Sequence, residues 1–290
     1  MGCGESAVDS SDVQIQERAV NNLNDGNFDK KQFQAARNAL PIDAALQIFR
    51  KTAVDLTGKK PSALPSSMEK CCFICCNTYT KKEYELGVGP MNDSITVAEN
   101  HKKRGYQVFF VHNPKPDEFL AFLGPLFKLT TKELTIFYTG HGANVKDRNG
   151  DESDGMDEAM VFDTGHIVDD KLVDVIIANA NGKTRVLLLT DCCHSGSIWD
   201  LQSAMKHKKN LPANIISISA AKDSQTAKQT TIGKKSQGIF TYYFWDIVNK
   251  NKGITPKEIE SKINVSLKKF NQLLVLCGTS KDMESKPLFA

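Results

Sequence analysis

The chain has 290 residues, and its 37 Lys and Arg against 34 Asp and Glu give a formal net charge of +3, far from the lopsided charge of nucleic-acid or polybasic membrane binders. Hydrophobic residues at 40% and charged residues at 24% exclude wholesale disorder, and no apolar run approaches the roughly 20 residues of a transmembrane helix. With no apolar segment after the start, a secretory signal peptide is not expected, so the eight cysteines are read as reduced thiols of a soluble intracellular protein.

In chain order, residues 1–12 are small and polar and read as a flexible tail. Their opening, Met1-Gly2-Cys3-Gly4-Glu5-Ser6, matches the pattern for myristoylation at Gly2, and Cys3 beside it can take palmitate. Two acyl chains anchor stably where one does not, so an otherwise cytoplasmic protein attached to a membrane is one expectation. From about Val13 to Leu56 the spacing of Ala35, Ala36, Ala39, Ala44, Ala45, Ile48 and Phe49 predicts helix, interrupted at Asn38-Ala39-Leu40-Pro41. Thr57-Gly58-Lys59-Lys60-Pro61 through Ser67 is a linker by its Gly, Pro and Ser content. It divides an N-terminal extension, 1–68, in the place of a prodomain, from one main domain, 69–290.

Beyond the linker, short apolar runs alternate with amphipathic stretches. The runs are Cys71–Cys76, Tyr106–Val111, Leu134–Tyr138, Val186–Thr190, Ile215–Ser219 and Leu273–Cys277. The stretches are about Asp93–Arg104, Pro116–Leu126, Asp169–Ala180, Ile239–Asn249 and Pro256–Phe270. Strand and helix alternating at these lengths predict an α/β fold, a three-layer α/β/α sandwich around a mostly parallel sheet. Several runs are apolar throughout, as strands covered on both faces require. Cys72-Phe73-Ile74-Cys75 contains a CxxC, which admits zinc or redox chemistry. No second half-site follows at zinc spacing, and burial as small hydrophobes is the stronger expectation.

In such sheets the working residues collect at the carboxyl ends of strands. The run ending at Tyr138 continues Thr139-Gly140-His141-Gly142, and the run ending at Thr190 continues Asp191-Cys192-Cys193-His194-Ser195-Gly196. A histidine and a cysteine 52 residues apart, each just past a buried strand, suit a base and a nucleophile. The amides of Gly142 and Cys193 are candidates for an oxyanion hole. Between the two motifs, Asp147–Glu158 packs six carboxylates into twelve residues. An EF-hand fits at Asp147, Asn149, Asp151 and Glu158 but fails at Glu152, where glycine is required. Taken alone, the loop reads as a solvated acidic turn.

From about residue 69 to the C-terminus the chain resembles the metacaspases, caspase-like cysteine peptidases marked by Y-S-G-H-G and D-S/C-C-H-S-G. Tyr138-Thr139-Gly140-His141-Gly142 and Asp191–Gly196 carry the likeness, with Ser219–Thr226 similar to the family's S-G-C-x-D-x-Q-T segment and Gly238-Ile239-Phe240-Thr241 after it. The resemblance implies a caspase-like fold, with His141 and Cys193 as catalytic dyad and Gly142 beside them. It implies a Ca2+ site with Asp157, Asp169, Asp170 and Asp200 as counterparts of the family's ligands, oxygen donors that suit the ion's flexible coordination. Gly89-Pro90-Met91-Asn92-Asp93 is similar to the family's G-C-V-N-D, with Pro90 in place of Cys. It implies an acidic S1 pocket of Asp93 and Asp191, with Thr139 at the family's serine position, selecting Lys or Arg in protein or peptide substrates. For Asp93 alone, a helix N-terminal role is the simpler reading. An enzyme of this specificity can process itself at Lys59-Lys60 or at Lys206, Lys208 and Lys209. A monomer with no nucleic-acid partner is expected. The rival readings are a catalytically silent caspase-like scaffold for partner or aggregate binding, and a zinc or redox protein built on Cys71–Cys76.

Overall fold

The computed structural model describes residues 13–15, 41–146, 156–193, 196, 198–221, 227, 229–232 and 235–289. Its first half runs β1 (Val13–Ile15), α1 (Ile42–Thr52), β2 (Val54–Asp55), β3 (Met68–Cys76), α2 (Gly89–Lys102), β4 (Gln107–His112), α3 (Pro116–Leu129), β5 (Thr130–Thr139) and β6 (Gly142–Lys146). Then follow β7 (Met156–Phe162), β8 (Gly165–Val168), α4 (Asp169–Asn179), β9 (Arg185–Asp191), α5 (Leu201–Lys206) and β10 (Ile215–Ser219). Last come β11 (Gln229–Ile232), β12 (Lys235–Gly238), α6 (Ile239–Lys250), α7 (Pro256–Leu267), β13 (Val275–Gly278) and α8 (Lys281–Ser285).

Each of the six apolar runs is a strand of one seven-stranded sheet, in the order β13-β10-β9-β5-β3-β4-β2. Neighbours are parallel except β10 and β13. The chain steps from β3 out to β4, then returns to the other side of β3 as β5, so the strand order reverses there and opens a crevice at the carboxyl ends.

Both faces are covered, which is why these strands lack polar alternation. Cys72, Ile74, Cys76, Phe110 and Leu189 pack with Phe49 of α1, Met91 of α2, Phe244 of α6 and Ile263 of α7. Cys71, Phe73, Cys75, Ile136 and Leu188 pack with Phe119 and Phe122 of α3 and Leu172 and Ile176 of α4. The four strand thiols are fully buried. Cys72 and Cys75 lie on opposite faces of the sheet, so this CxxC cannot chelate one ion. Burial raises the Cys71 thiol to about 12 and the Cys72 and Cys75 thiols well above their ordinary value, so they stay protonated and unreactive.

One feature departs from the sequence expectations. Val13–Ile15, read as helix, is a strand that pairs antiparallel with β6 as the outer member of a second sheet, β1-β6-β7-β8. Edge pairing overrides local propensity there; residues 16–40 lie outside the described residues. Elements before residue 68 also pack on the main sheet. β2 pairs in parallel with β4, and Phe49 of α1 stacks on Phe110 at 3.8 Å.

Between α2 and the sheet, His101 is completely buried. Its Nδ1 lies 2.9 Å from the Val97 carbonyl, which can only accept, so Nδ1 carries the proton and Nε2 accepts from the Thr135 hydroxyl, also 2.9 Å away. Burial, with Arg104 nearby, lowers this imidazole to about 4. Above pH 6.5 both folded and unfolded chains hold it neutral; below that only the unfolded chain gains the proton, until about pH 4. Stability should therefore be complete above pH 6.5 and fall by roughly 3 kcal/mol as pH drops toward 4. Urea midpoints at pH 7 and 4.5, compared with those of His101→Gln, check this: the variant should lack that part of the loss.

Candidate active site

β5 and β9 are adjacent parallel strands in register, with Thr139 opposite Asp191 at their last positions. The loops that follow, Gly140-His141-Gly142 and Cys192-Cys193, therefore leave the sheet side by side. Gly142 lies so close to the second loop that a Cβ there would sit 1.9 Å from the Cys193 carbonyl oxygen and 3.0 Å from the Cys192 sulfur. Only glycine allows that approach. The two cysteines diverge: Cys192 packs in the core under α3 and α4, Cys193 on the side of α2 and α6. The Cys193 thiol lies 3.8 Å from the Ala227 carbonyl, as a weak donor. His141 and Cys193 are both buried.

His141 is held on every side. Its Nε2 lies 2.8 Å from the Tyr84 carbonyl, so Nε2 carries the proton and Nδ1 is the basic nitrogen. Its carbonyl accepts from Val161 N–H at 3.1 Å, and the Tyr138 hydroxyl lies 2.8 Å from that oxygen. Asn77, just past β3, donates from its backbone to Thr139 at 3.0 Å and from its side chain at 3.3 Å. Tyr79, Tyr84 and Asn77 were absent from the residues singled out in the sequence. The signal was there, since Asn77-Thr78-Tyr79 follow β3 as the other two loops follow β5 and β9.

The two proposed pocket aspartates come together on one short segment. Asp93, on α2, accepts the Gly238 N–H with both carboxylate oxygens, at 2.8 and 3.0 Å. Asp191 accepts the Thr241 hydroxyl at 2.6 Å. Gly238 is the N-cap of α6 and Thr241 lies in its first turn. Two fully buried carboxylates thus face the positive end of one helix. Asp93 and Asn92 both cross to the β12 region, Asn92 donating to the Ser236 carbonyl at 2.8 Å. Thr139 is buried beside Asp191.

The four residues expected as calcium ligands are less convergent. Asp157, Asp169 and Asp200 are buried. Asp169, the first residue of α4, accepts the amides of Glu158 at 3.2 Å and Asp170 at 2.8 Å. Burial nevertheless raises its carboxyl to about 8, with Glu158 and Asp200 adding to the effect. Asp170 pairs with Lys209 at 3.2 Å, and Asp200 adopts a left-handed backbone, φ 39°. Among the described residues no three acidic, histidine or cysteine side chains are placed to hold a metal ion. The donor chemistry fits a hard cation; the arrangement as it stands does not close around one. Gly2, Cys3, residues 147–155, His194, Ser195 and residues 222–226 lie outside the described residues.

The chain belongs to the caspase-domain family, whose model matches residues 68–288. Within the family its similarity is to metacaspases. Metacaspase-1 of Schizosaccharomyces pombe is 26% identical, over 52% of this chain and 50% of its own. Metacaspase-1 of Candida glabrata is 29% identical, over 54% and 41%. Metacaspase-1A of Neurospora crassa is 44% identical over a 72-residue stretch, 23% of this chain and 16% of its own. The chain spans about half or less of the length of these relatives. Two solved structures share the fold. Protein GSU0716 from Geobacter sulfurreducens has a TM-score of 0.61 at 19% identity, over 77% of this chain and 98% of its own. Caspase-1 from Spodoptera frugiperda has 0.53 at 10%, over 75% and 90%. Among the described residues no helix is long and apolar enough to cross a membrane.

Proposed function

We propose that the protein is a calcium-dependent cysteine endopeptidase that cleaves after Lys or Arg, with Cys193 as nucleophile and His141 as its acid–base partner. The observation that carries this reading is the approach of Gly142 to the Cys193 carbonyl, which seats the histidine loop on the cysteine loop. In the reaction, His141 Nδ1 takes the thiol proton, and the Cys193 sulfur attacks the carbonyl carbon of the scissile bond. The amides of Gly142 and Cys193 donate hydrogen bonds to the developing oxyanion. His141 then returns the proton to the leaving amine as the C–N bond breaks, leaving a thioester. Water, deprotonated by the same imidazole, hydrolyses it and regenerates the thiol.

Specificity rests on Asp93 and Asp191. A cationic P1 side chain can share these carboxylates, whereas a neutral or acidic one leaves buried charge poorly compensated. For calcium, the support is a donor set made of carboxylates and an Asp169 carboxyl raised chiefly by burial, with repulsion from Glu158 and Asp200 adding to it, both of which a bound cation would offset. Asp157, Asp169 and Asp200 would hold it, with Asp170 joining once Lys209 is released; the ion would supply charge neutralisation and order beside Cys193. Lys59, Lys60, Lys206 and Lys208 are exposed and suit self-processing. Acylation at Gly2 and Cys3 would place a cytoplasmic enzyme on a membrane, which mass spectrometry of the N-terminal peptide from native cells tests.

Turnover of Arg-, Lys- and Asp-terminated fluorogenic peptides, with and without Ca2+, tests the whole reading. Arg or Lys peptides should exceed Asp peptides by roughly 100-fold or more in kcat/KM, and EGTA should suppress turnover until Ca2+ is restored. Preference for Asp peptides overturns the acidic pocket. Peptidase activity and loop proteolysis indifferent to EGTA overturn the calcium requirement.

A further inference from the structure

Tyr79 carries a backbone conformation that its side chain does not favour. It lies in the left-handed region at φ 65°, three residues past the end of β3. Non-glycine residues persist there only when their surroundings over-determine them, and such positions gather at working sites. Here the surroundings are explicit. The Asn113 side-chain oxygen accepts the amides of both Thr78 and Tyr79, at 2.8 and 3.0 Å. The turn they make drives the phenol into the protein, where the residue is 4% exposed.

The phenol ends on the backbone of the histidine loop. Its oxygen accepts the His141 N–H at 2.5 Å, and its own proton goes to the Val161 carbonyl at 2.9 Å. Burial keeps the phenol far above its ordinary pKa, so it remains a donor throughout the working range. The ring lies 4.8 Å from the His141 imidazole, tilted by 32°, and meets Tyr84 edge-on at 5.9 Å, the residue whose carbonyl orients His141 Nε2. Gly140 leaves room for this: a Cβ there would stand 2.6 Å from the Tyr79 hydroxyl.

We infer that Tyr79 is a positioning residue for peptide hydrolysis, fixing the amide of His141 with its hydroxyl and the plane of the imidazole with its ring. This rests on the reading of His141 as the base. The left-handed turn, clamped by Asn113, aims the tyrosine rather than merely closing a loop. Placement errors of about an ångström at a base are enough to cost up to about 100-fold in rate, and that is the scale at which Tyr79 acts.

The test compares wild type, Tyr79→Phe, Tyr79→Leu and Gly140→Ala on an Arg-terminated peptide, with thermal melting recorded for each. Tyr79→Phe should lower kcat roughly 10- to 100-fold with KM within about twofold, and Tyr79→Leu should lower it further. The acid limb of the pH profile for alkylation of Cys193 by iodoacetamide should move to higher pH in Tyr79→Phe, because a loosened imidazole stabilises the thiolate less. Gly140→Ala, which pushes the hydroxyl away, should reproduce the Tyr79→Phe profile. Unchanged kcat and an unchanged acid limb overturn the inference, as does a rate that falls only in proportion to the folded fraction. His141→Ala separates the two levels. If it still hydrolyses peptide, the base reading falls and this inference with it; if it is inactive while Tyr79→Phe matches wild type, the inference alone falls.

Discussion

Replacing Cys193 with alanine should lower kcat/KM by at least about 10,000-fold, while Cys192→Ala keeps hydrolysis within a few-fold of wild type. The neighbours differ because successive side chains leave the end of β9 toward opposite layers. Cys192 is enclosed under α3 and α4, and removing its sulfur leaves a small void costing roughly 1 kcal/mol. Cys193 lies on the α2 and α6 side, where Asp93, Asp191 and the α6 N-terminus also meet. The measurement is peptide turnover together with urea unfolding of both variants. Activity lost in Cys192→Ala and kept in Cys193→Ala would reverse the assignment. Activity kept in both would show that neither thiol is the nucleophile, and absence of turnover in the wild type as well would favour the silent scaffold, in which the caspase-like framework binds partners without chemistry.

Gly142→Ala should be almost as damaging, by a different route. The added methyl group would meet the Cys193 carbonyl oxygen at 1.9 Å, a backbone atom with no freedom to rotate away. The loops must part, which on the proposed mechanism moves the imidazole from the thiol and withdraws one amide from the oxyanion position. A loss of roughly 1,000-fold in kcat is expected, the scale of a lost oxyanion donor combined with misplacement. Serine at 142 should behave like alanine, since its first side-chain atom is the same Cβ. Near-wild-type turnover in Gly142→Ala would show that the loops do not need this contact.

Much of this was readable in the chain before any fold was known, for identifiable reasons. Strands buried on both faces announce themselves by uninterrupted apolar runs, so Cys71–Cys76 and Val186–Thr190 stand out, and strand ends locate His141 and Cys193. The second sheet was not visible. β6 and β8 are short, and β6 includes Gly142 and Asn144, so their pairing comes from tertiary context rather than propensity. Val13–Ile15 was hidden for the same reason. Asp93 and Asp191 were found by resemblance, but their meeting at Gly238 and Thr241 joins residues 145 and 50 positions apart, which no local pattern encodes. The Tyr84 contribution is a main-chain carbonyl, and a backbone oxygen has no sequence signature at all.

The meeting of Asp93 and Asp191 at the start of α6 also ties the proposed pocket to the fold. If these carboxylates select the substrate, they do so while anchoring a helix whose inner face carries Phe240, Phe244 and Trp245. Converting the pocket to accept acidic residues by placing arginine at 93 would set a cation against the positive helix end and strip the Gly238 amide of its acceptor. On the proposed specificity, the preference for basic substrates would be tied to structural integrity. A change at the pocket margin, around Pro90 or Thr139, would leave those helix anchors in place.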